Sequence, residues 1–284
     1  MANLDTADLK ERQRNNWKSA AEGWRRRDAL LRKGAAPVTD RMLDLSGIIS
    51  GSRLLDIASG TGEPAITAAQ IVGESGKVIG TDLVDEMLVV AREKTTSMNL
   101  NNIEFQCIDA ELLDYPTASF DAVTIRWGLM FMPQPLDCLT AAHKTLKQNG
   151  RISLACWAAP EKNPFISVLL KTLSNYMELP VLPPGTPGIF SFADPDRLHD
   201  VLASTGYDNI NLEEMEIDVI EVEDGRAYWE AISDLAAPVM VLVNQLEQAA
   251  RLDYIDEVIS VADSLKQGET LCMKGTTWIA SATK

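Results

Sequence analysis

The chain has 284 residues, of which 46% are hydrophobic, and it carries a formal net charge of -15 at pH 7. This length allows one large domain with a full hydrophobic core. The negative charge argues against a nucleic-acid partner, because phosphate binding requires clustered Lys and Arg. The N-terminus lacks the apolar stretch of a signal peptide and no apolar run is long enough for a membrane span, so we expect a cytoplasmic protein without a transmembrane segment.

Residues 1–50 are predicted to form an N-terminal helical lid. Residues 6–45 have helical periodicity, and Trp17 and Trp24 lie at i and i+7 on one helical face. Basic residues of this segment, among them Lys18 and the run Arg25, Arg26 and Arg27, are interpreted as a solvated helix face. Docking to a membrane surface or to a partner is the alternative interpretation.

Residues 51–158 alternate short β-rich runs with helical patterns, which is typical of an α/β fold with a doubly wound, mostly parallel sheet. We expect a Rossmann-like core that binds a cofactor and belongs to a seven-stranded sheet. Its strands are predicted at residues 53–58, 77–82, 103–109, 120–127 and 151–157. Helices are predicted near residues 65–72, 85–98 and 136–146, and Asn149-Gly150 is interpreted as the C-cap of the last one.

Residues 159–284 are predicted to supply substrate-facing helices, a loop and the closing strands of the same sheet. The predicted elements are a helix at 163–179, a helix at 194–204, further helices between about 224 and 265, and strands at 209–222 and 271–283. Residues 181–192 form an apolar Pro/Gly loop that should pack over another part of the protein. The four cysteines, Cys107, Cys138, Cys156 and Cys272, are too scattered for a C-x-x-C site and are interpreted as buried thiols.

The segment RLLDIASGTGEP, from Arg53 to Pro64, is the most informative part of the sequence. An apolar strand carries Asp56 and is followed by a turn that contains Gly60 and Gly62. The pattern formally meets a dinucleotide fingerprint, but Asp56 and Glu63 would repel a pyrophosphate. The same carboxylates suit a phosphate-free nucleoside with an ammonium and a sulfonium, which is S-adenosylmethionine.

Acidic residues also follow the next two predicted strands. Asp82 is predicted to accept hydrogen bonds from both ribose hydroxyls. Asp109 is placed to accept from the adenine amino group, with the N–H of Ala110 facing a ring nitrogen. Open α/β sheets bind ligands at the carboxyl ends of their strands, so these acids should lie at one edge. Capping or plain loop roles are the alternatives for Asp82 and Asp109.

The runs LLDIASGTGEP, VIGTD, CIDAELLDYP, FDAVTIRWGLMFMPQP and LKQNGRISLACW resemble successive motifs of class I S-adenosylmethionine-dependent methyltransferases, in particular the quinone-biosynthesis C-methyltransferases. The resemblance covers roughly residues 17–157. It departs from the family at Ala58-Ser59-Gly60, where a Cys is common in place of Ser. It implies that the cofactor is bound by Asp56, Ala58, Ser59, Gly60, Thr61, Gly62, Asp82, Leu83, Met87, Asp109, Ala110, Arg126 and Trp127.

Methyl transfer from a sulfonium is an in-line displacement, so the protein must align the acceptor and exclude water, and no metal is required. His143 and His199 are interpreted as structural, which leaves the general base unassigned. The acceptor is therefore expected to lose its proton readily, as an enol, hydroquinone or activated phenol does, or to use a carboxylate or tyrosine of the lid. Methylation at carbon or at oxygen remains open.

The predicted acceptor pocket is apolar and aromatic, which favours a small aromatic, quinone-like or natural-product acceptor. Its residues are Trp17, Trp24, Met130, Phe131, Trp157, Phe165, Phe190 and Phe192. Two other functions stay open at this point: a nicotinamide-dependent dehydrogenase, and a protein that keeps S-adenosylmethionine without transferring its methyl group. The sequence does not decide between a monomer and a homodimer.

Overall fold

The computed structural model describes residues 6–180 and 185–284, and within them the chain forms a seven-stranded sheet flanked by helices. The strand order is β3-β2-β1-β4-β5-β7-β6. All neighbouring pairs are parallel except those of β7, which lies between β5 and β6 and is antiparallel to both. The strands are β1 (Arg53–Ile57), β2 (Lys77–Asp82), β3 (Ile103–Cys107), β4 (Phe120–Arg126), β5 (Leu146–Trp157), β6 (Asp208–Val222) and β7 (Leu271–Thr283).

Helices cover the faces of the sheet and confirm the predicted α/β class. They are α1 (Thr6–Arg26), α2 (Asp28–Ser46), α3 (Ala65–Val72), α4 (Asp85–Ser97), α5 (Pro135–Thr145), α6 (Pro164–Leu173), α7 (Pro195–Ser204), α8 (Gly225–Leu235), α9 (Ala237–Val243) and α10 (Gln248–Ser264). Single helical turns lie at Ala110–Leu112, Leu129–Phe131 and Pro160–Lys162. Among the described residues, no helix combines the length and the apolarity needed to cross a membrane.

The strand-to-helix alternation of the core was predicted correctly, with β2 and β7 matching to the residue. The helical N-terminal segment is confirmed as α1 and α2. The start of α7 is also confirmed, because the carboxylate of Asp194 accepts from the backbone N–H of Asp196 at 3.0 Å and Pro195 is the first helical residue. These local signals fix an element without help from the rest of the chain.

Two predicted helix ends were wrong. The helix α5 ends at Thr145, and Asn149-Gly150 lies inside β5 rather than at a helix end. Leu146 is fully buried and pairs with Phe120, so tertiary burial starts the strand before the expected cap. The helix α6 ends at Leu173 rather than near residue 179. The further helices predicted between about 224 and 265 are confirmed as α8, α9 and α10.

The basic residues of the N-terminal helices are mostly exposed, as interpreted, and several of them also form ion pairs with the protein's own carboxylates. Lys18 pairs with Glu86 at 2.8 Å, and Arg25 pairs with Glu93. Other cations of the same helices pair with carboxylates of α8, β6 and the end of β3; the pairs are Arg26–Asp234, Arg27–Asp234, Lys33–Glu221, Arg41–Glu213 and Lys10–Asp109. Exposed pairs each contribute at most about 1 kcal/mol, but together they join the lid to the protein's own acids.

Hydrophobic packing holds α1 over the carboxyl edge of the sheet. Trp17 and Trp24 pack with Met87 of α4 and with Leu83 and Val84, which follow β2. The prediction of buried thiols holds for Cys138 and Cys156, which are fully buried. It was wrong for Cys107, which is exposed because β3 is an edge strand, and Cys272 is only partly buried.

Candidate active site

Asp56 is a fully buried carboxylate in the central strand β1. Its Oδ1 accepts a hydrogen bond from the hydroxyl of Thr124 on β4 at 2.6 Å. Its Oδ2 is buried and receives no hydrogen bond from any described residue. Burial raises the pKa of Asp56 to about 6. A buried carboxylate oxygen without a donor is unfavourable, so this atom fits a ligand that brings an N–H donor and positive charge.

The turn after β1 leaves space next to this carboxylate. The backbone N–H of Ser59 donates to the carbonyl of Thr81 at 2.8 Å, which ties the turn to β2. Gly60 has a φ of +53°, and a Cβ placed on it would have no other heavy atom within 4 Å. Glycine thus provides both a left-handed backbone conformation and open space for a ligand.

The chain turns sharply where β1 and β4 end, side by side. Ala58 and Trp127 have φ values of 57° and 55°. Residues other than Gly, Asn and Asp rarely adopt this left-handed backbone conformation. Gly128 is required here, because a Cβ on it would lie 2.4 Å from the Cβ of Ala58. Such strained residues concentrate at functional sites, where the surrounding structure holds them in place.

Asp82, the last residue of β2, holds the glycine turn. Its Oδ2 accepts from the N–H of Gly60 at 2.8 Å, and its Oδ1 accepts from the N–H of Val84 at 3.0 Å. Burial raises its pKa to about 6. The bond to Val84 shows that the capping alternative is partly true, since Val84 is the N-cap of α4. The ribose role stays a prediction, and each carboxylate oxygen keeps a further acceptor site for it.

Asp109 follows β3 and is already bonded on both oxygens. Oδ1 accepts from the N–H of Glu111 at 2.9 Å and Oδ2 from Lys10 of α1 at 2.6 Å. Lys10 also lies 2.5 Å from Oε2 of Glu111, whose side chain is 3% exposed. Ala110 begins the single helical turn that Asp109 caps. The adenine role of Asp109 stays a prediction, and a lysine of the lid now occupies its carboxylate.

Arg126 ends β4 on the side of the lid. Its Nη1 donates to the hydroxyl of Thr39 on α2 at 2.6 Å, and its guanidinium lies 5.2 Å from the ring centre of Trp127. Burial lowers the pKa of Arg126, and the negative charges of Glu63 and Asp56 act in the opposite direction. The predicted backbone contacts of Arg126 and Trp127 to a cofactor are untested.

The predicted aromatic pocket residues form two groups. In the first, Trp17 of the lid contacts Trp24 at 5.7 Å and Phe131 at 5.2 Å between ring centres. In the second, Trp157 of β5 stacks on Trp127 at 4.3 Å with an interplanar angle of 11°. Phe165 of α6 lies against the same ring of Trp157 at 4.6 Å. Each group includes a residue at the carboxyl edge of the sheet, since Phe131 follows β4 and Trp157 ends β5.

The other predicted pocket residues are Met130, Phe190 and Phe192. The described part of the Pro/Gly loop, residues 185–192, packs over Met130, as expected, and residues 181–184 lie outside the described residues. Gly188 and Ser191 donate to the carbonyl of Met130 at 2.9 and 2.7 Å. Phe192 is 1% exposed, and Phe190 packs against the same main core. Met130 and Phe192 are thus core residues, and their predicted contact with an acceptor stays a prediction.

The two histidines lie away from this edge. His143 on α5 packs edge-to-face on Tyr207 at 5.0 Å, and burial lowers its pKa. His199 on α7 is exposed beside Asp200. Their placement agrees with the structural interpretation, and neither is positioned as a general base for a reaction at the carboxyl ends of β1 and β4.

The fold is the Rossmann-like fold of S-adenosylmethionine-dependent methyltransferases. The chain is similar in structure to YcgJ of Bacillus subtilis, with a TM-score of 0.57 at 18% identity over 88% of this chain and 98% of that one. It is also similar to phosphoethanolamine N-methyltransferase 2 of Haemonchus contortus in complex with S-adenosyl-L-methionine, with a TM-score of 0.52 at 19% identity over 87% of this chain and 52% of that one.

The chain belongs to the ubiE/COQ5 methyltransferase family, whose model matches residues 37–182. A relative from Teredinibacter turnerae, named ubiquinone/menaquinone biosynthesis C-methyltransferase UbiE, is 35% identical over 122 residues. That alignment covers 43% of this chain and 49% of the relative, so the chain spans about half the length of that protein. The family resemblance is confirmed, and S-adenosylmethionine is the cofactor. The dinucleotide alternative loses its support.

The residues at the edge fit this cofactor. The donor-free Oδ2 of Asp56 and the open space at Gly60 suit an ammonium group, and Asp82 presents acceptors to hydroxyls. Sequence reasoning did not identify Thr124, which holds Asp56, or Lys10, which holds Asp109. Lys10 was detectable only as a residue on the helical face of Trp17, seven positions away.

Proposed function

We propose that the protein methylates a carbon atom of a small, largely apolar aromatic acceptor, such as a quinol-like ring, without using a metal. The C-methyltransferase name of the Teredinibacter turnerae relative supports carbon over oxygen as the acceptor atom. The stacked Trp127 and Trp157, with Phe165 beside them, support a planar acceptor. Free thiols in the described chain support a reducing, cytoplasmic location.

The observation that carries the proposal is the buried Asp56. Its Oδ2 lacks a donor, and its raised pKa shows that burial disfavours the charged form. A cationic nucleoside supplies what this carboxylate lacks, whereas a diphosphate would add negative charge. The dehydrogenase alternative therefore conflicts with the electrostatics of the site as well as with the family.

Bound S-adenosylmethionine supplies an electrophilic methyl group on a sulfonium. Asp56 and Asp82 would bind and orient this cofactor, and the glycine turn would allow the backbone to approach it closely. The aromatic side chains of Trp17 and Trp127 exclude water and hold the acceptor plane, which promotes an in-line displacement. Because His143 and His199 lie elsewhere, the acceptor proton must be acidic enough to leave without histidine.

Cofactor binding is the first test. Thermal unfolding with S-adenosylhomocysteine should show stabilisation, whereas NADH should give no shift, because only a ligand that binds the native state stabilises it. Asp82→Ala should lower the affinity for S-adenosylhomocysteine at least about tenfold, because roughly one charged hydrogen bond is lost, and calorimetry measures this change. Stabilisation by NADH instead would overturn the proposal.

Methyl transfer is the second test. Wild-type protein is incubated with methyl-labelled S-adenosylmethionine and a panel of hydroquinones, activated phenols and enols, and label in the extracted acceptors is counted. Transfer to a ring carbon supports the proposal, and transfer to oxygen would contradict its carbon assignment. Tight cofactor binding with no transfer to any acceptor would favour a protein that keeps the cofactor without methylating.

A further inference from the structure

One face of the lid helix α1 spans the adenosine end of the predicted site. Lys10, Gln13 and Trp17 occupy positions i, i+3 and i+7, and side chains with this spacing share a helical face. At one end of the face, Lys10 contacts Asp109 after β3. At the other end, Trp17 contacts Phe131 after β4. Gln13 therefore lies between these two contacts, over the carboxyl edge of the sheet.

The side-chain oxygen of Gln13 is a buried acceptor without a donor. In the described parts of the chain, three buried side-chain polar atoms lack a hydrogen-bond partner, and they belong to Gln13, Asp56 and Ser153. Ser153 lies within β5, where it pairs with strands on both sides, whereas Gln13 and Asp56 belong to the cofactor edge. Buried amide oxygens are normally bonded, so the exception at Gln13 indicates a ligand that brings a donor.

The adenine amino group carries two N–H donors, and its predicted acceptor Asp109 is already bonded by the protein on each oxygen. Asp109 accepts from the N–H of Glu111 and from Lys10, one bond to each oxygen. Asp109 keeps some acceptor capacity, but the side-chain oxygen of Gln13 is buried and accepts no bond at all, so it has the greater need of a donor. Gln13 is one helical turn from Lys10 on the same face, so the two side chains are neighbours.

We propose that Gln13 accepts a hydrogen bond from the exocyclic amino group of the cofactor's adenine, so that α1 completes the adenosine subsite. This inference rests on the proposed function, because it assumes that S-adenosylmethionine occupies the edge. It makes Gln13 a binding residue that recognises adenine among purines. Lys10 acts as a positioning residue, since it holds α1 against Asp109 and Glu111.

The test compares two ligands on four proteins by calorimetry. The ligands are S-adenosylhomocysteine and its analogue in which hydrogen replaces the adenine amino group. The proteins are wild type, Gln13→Leu, Asp109→Asn and Asn15→Leu. Asn15 is a matched control, because it is an exposed amide on the same helix that bonds only to Glu11 among the described residues.

We expect wild type and Asn15→Leu to prefer S-adenosylhomocysteine about tenfold, or about 1.4 kcal/mol. Gln13→Leu should bind it about tenfold more weakly and bind the analogue as wild type does, so that the preference disappears. A preference that survives in Gln13→Leu but disappears in Asp109→Asn would overturn the inference. An equal loss of affinity for both ligands in Gln13→Leu would also overturn the inference, because it would show that Gln13 acts only through packing.

Failure of the proposed function looks different. If wild type did not bind S-adenosylhomocysteine at all, the cofactor assignment would fall before Gln13 was compared. If wild type binds it and only the Gln13→Leu result is contrary, the function stands and this inference falls. Thermal unfolding of each ligand-free variant checks that Leu at position 13 leaves the fold intact; filling an orphaned polar position with an apolar side chain should not lower its stability.

Discussion

At the end of the site proposed for the methionyl group, Asp56 has one carboxylate oxygen without a donor, whereas at the end proposed for adenosine, Asp109 has both oxygens bonded by the protein. The first carboxylate lies deep in the sheet and the second at the rim, under the lid helix α1. The difference teaches that strands alone build the surroundings of Asp56, whereas Asp109 also depends on a residue of α1, Lys10, which is held by an ion pair. Three experiments break or sharpen this comparison.

The largest effect is expected from Asp56→Asn. The amide keeps the size of the side chain and the bond from Thr124 but removes the charge, so S-adenosylhomocysteine should bind about 30-fold more weakly, the loss of about 2 kcal/mol for a charged hydrogen bond. The ligand-free variant should unfold at a higher temperature than wild type, because a buried, incompletely bonded charge is gone. Calorimetry and thermal unfolding measure the two effects.

Asp121→Asn is the matched control for this experiment. Asp121 begins β4 at the opposite edge of the sheet and pairs with Lys147 at 2.6 Å. Loss of this charge should leave the affinity for S-adenosylhomocysteine within about twofold of wild type. An Asp56→Asn variant with unchanged affinity would show that the methionyl end is not prepared for a cation.

The pH dependence gives the next effect. Burial raises the pKa values of Asp56 and Asp82 from 3.8 to about 6, so both carboxylates gain protons between pH 7 and pH 5. A cationic ligand requires the ionised form, and protonation of one carboxylate with a pKa near 6 should weaken binding about tenfold over this interval. Calorimetry with S-adenosylhomocysteine at pH 7, 6 and 5 measures this change.

The stability of the ligand-free protein should move in the opposite direction. For a carboxylate whose pKa is raised in the folded state, the contribution to stability is fully present below 3.8 and is lost as pH rises through about 6. These two groups therefore raise the free energy of unfolding as pH falls from 7 to 5. Affinity that does not change across this range would contradict the assignment of Asp56 and Asp82 to the ligand.

The smallest effect is expected from Lys10→Met. Loss of the cation leaves Asp109 and Glu111 without their partner on α1, so the lid should open more readily. S-adenosylhomocysteine should then dissociate about threefold faster in stopped-flow displacement, the effect of roughly 0.6 kcal/mol from a partly buried ion pair. Lys18→Met, which removes the exposed pair with Glu86 from the same helix, should leave this rate unchanged. Equal acceleration in both variants would show a general effect of charge.

The strands of the core could be predicted because their signals are local. Apolar runs such as Lys77–Asp82 end at a polar residue. Gly60 and Gly62 indicate a turn, and this indication does not depend on distant parts of the chain. The boundary between α5 and β5 could not be predicted in this way. Leu146 enters the strand because it is buried against Phe120, a partner 26 positions away, and no local pattern reports that contact.

The acids of the site could be predicted, but their partners could not. Asp56 lies next to the end of β1, Asp82 ends β2 and Asp109 follows β3, so the sheet topology alone brings them toward one edge. Lys10 and Gln13 reach that edge only because α1 folds back across it. Their side chains carry no motif, and a lysine or glutamine on a polar helix is usually solvent-exposed.

The position of β7 has a consequence for synthesis of the protein. Strand β5 needs β7 as its outer neighbour, yet β7 is translated only after the whole region from α6 to α10. A nascent chain therefore presents β5 as an open sheet edge for as long as the ribosome makes that intervening stretch. Unpaired edges recruit other strands, so slow translation or early release before Leu271 should favour aggregation of an otherwise well-ordered core.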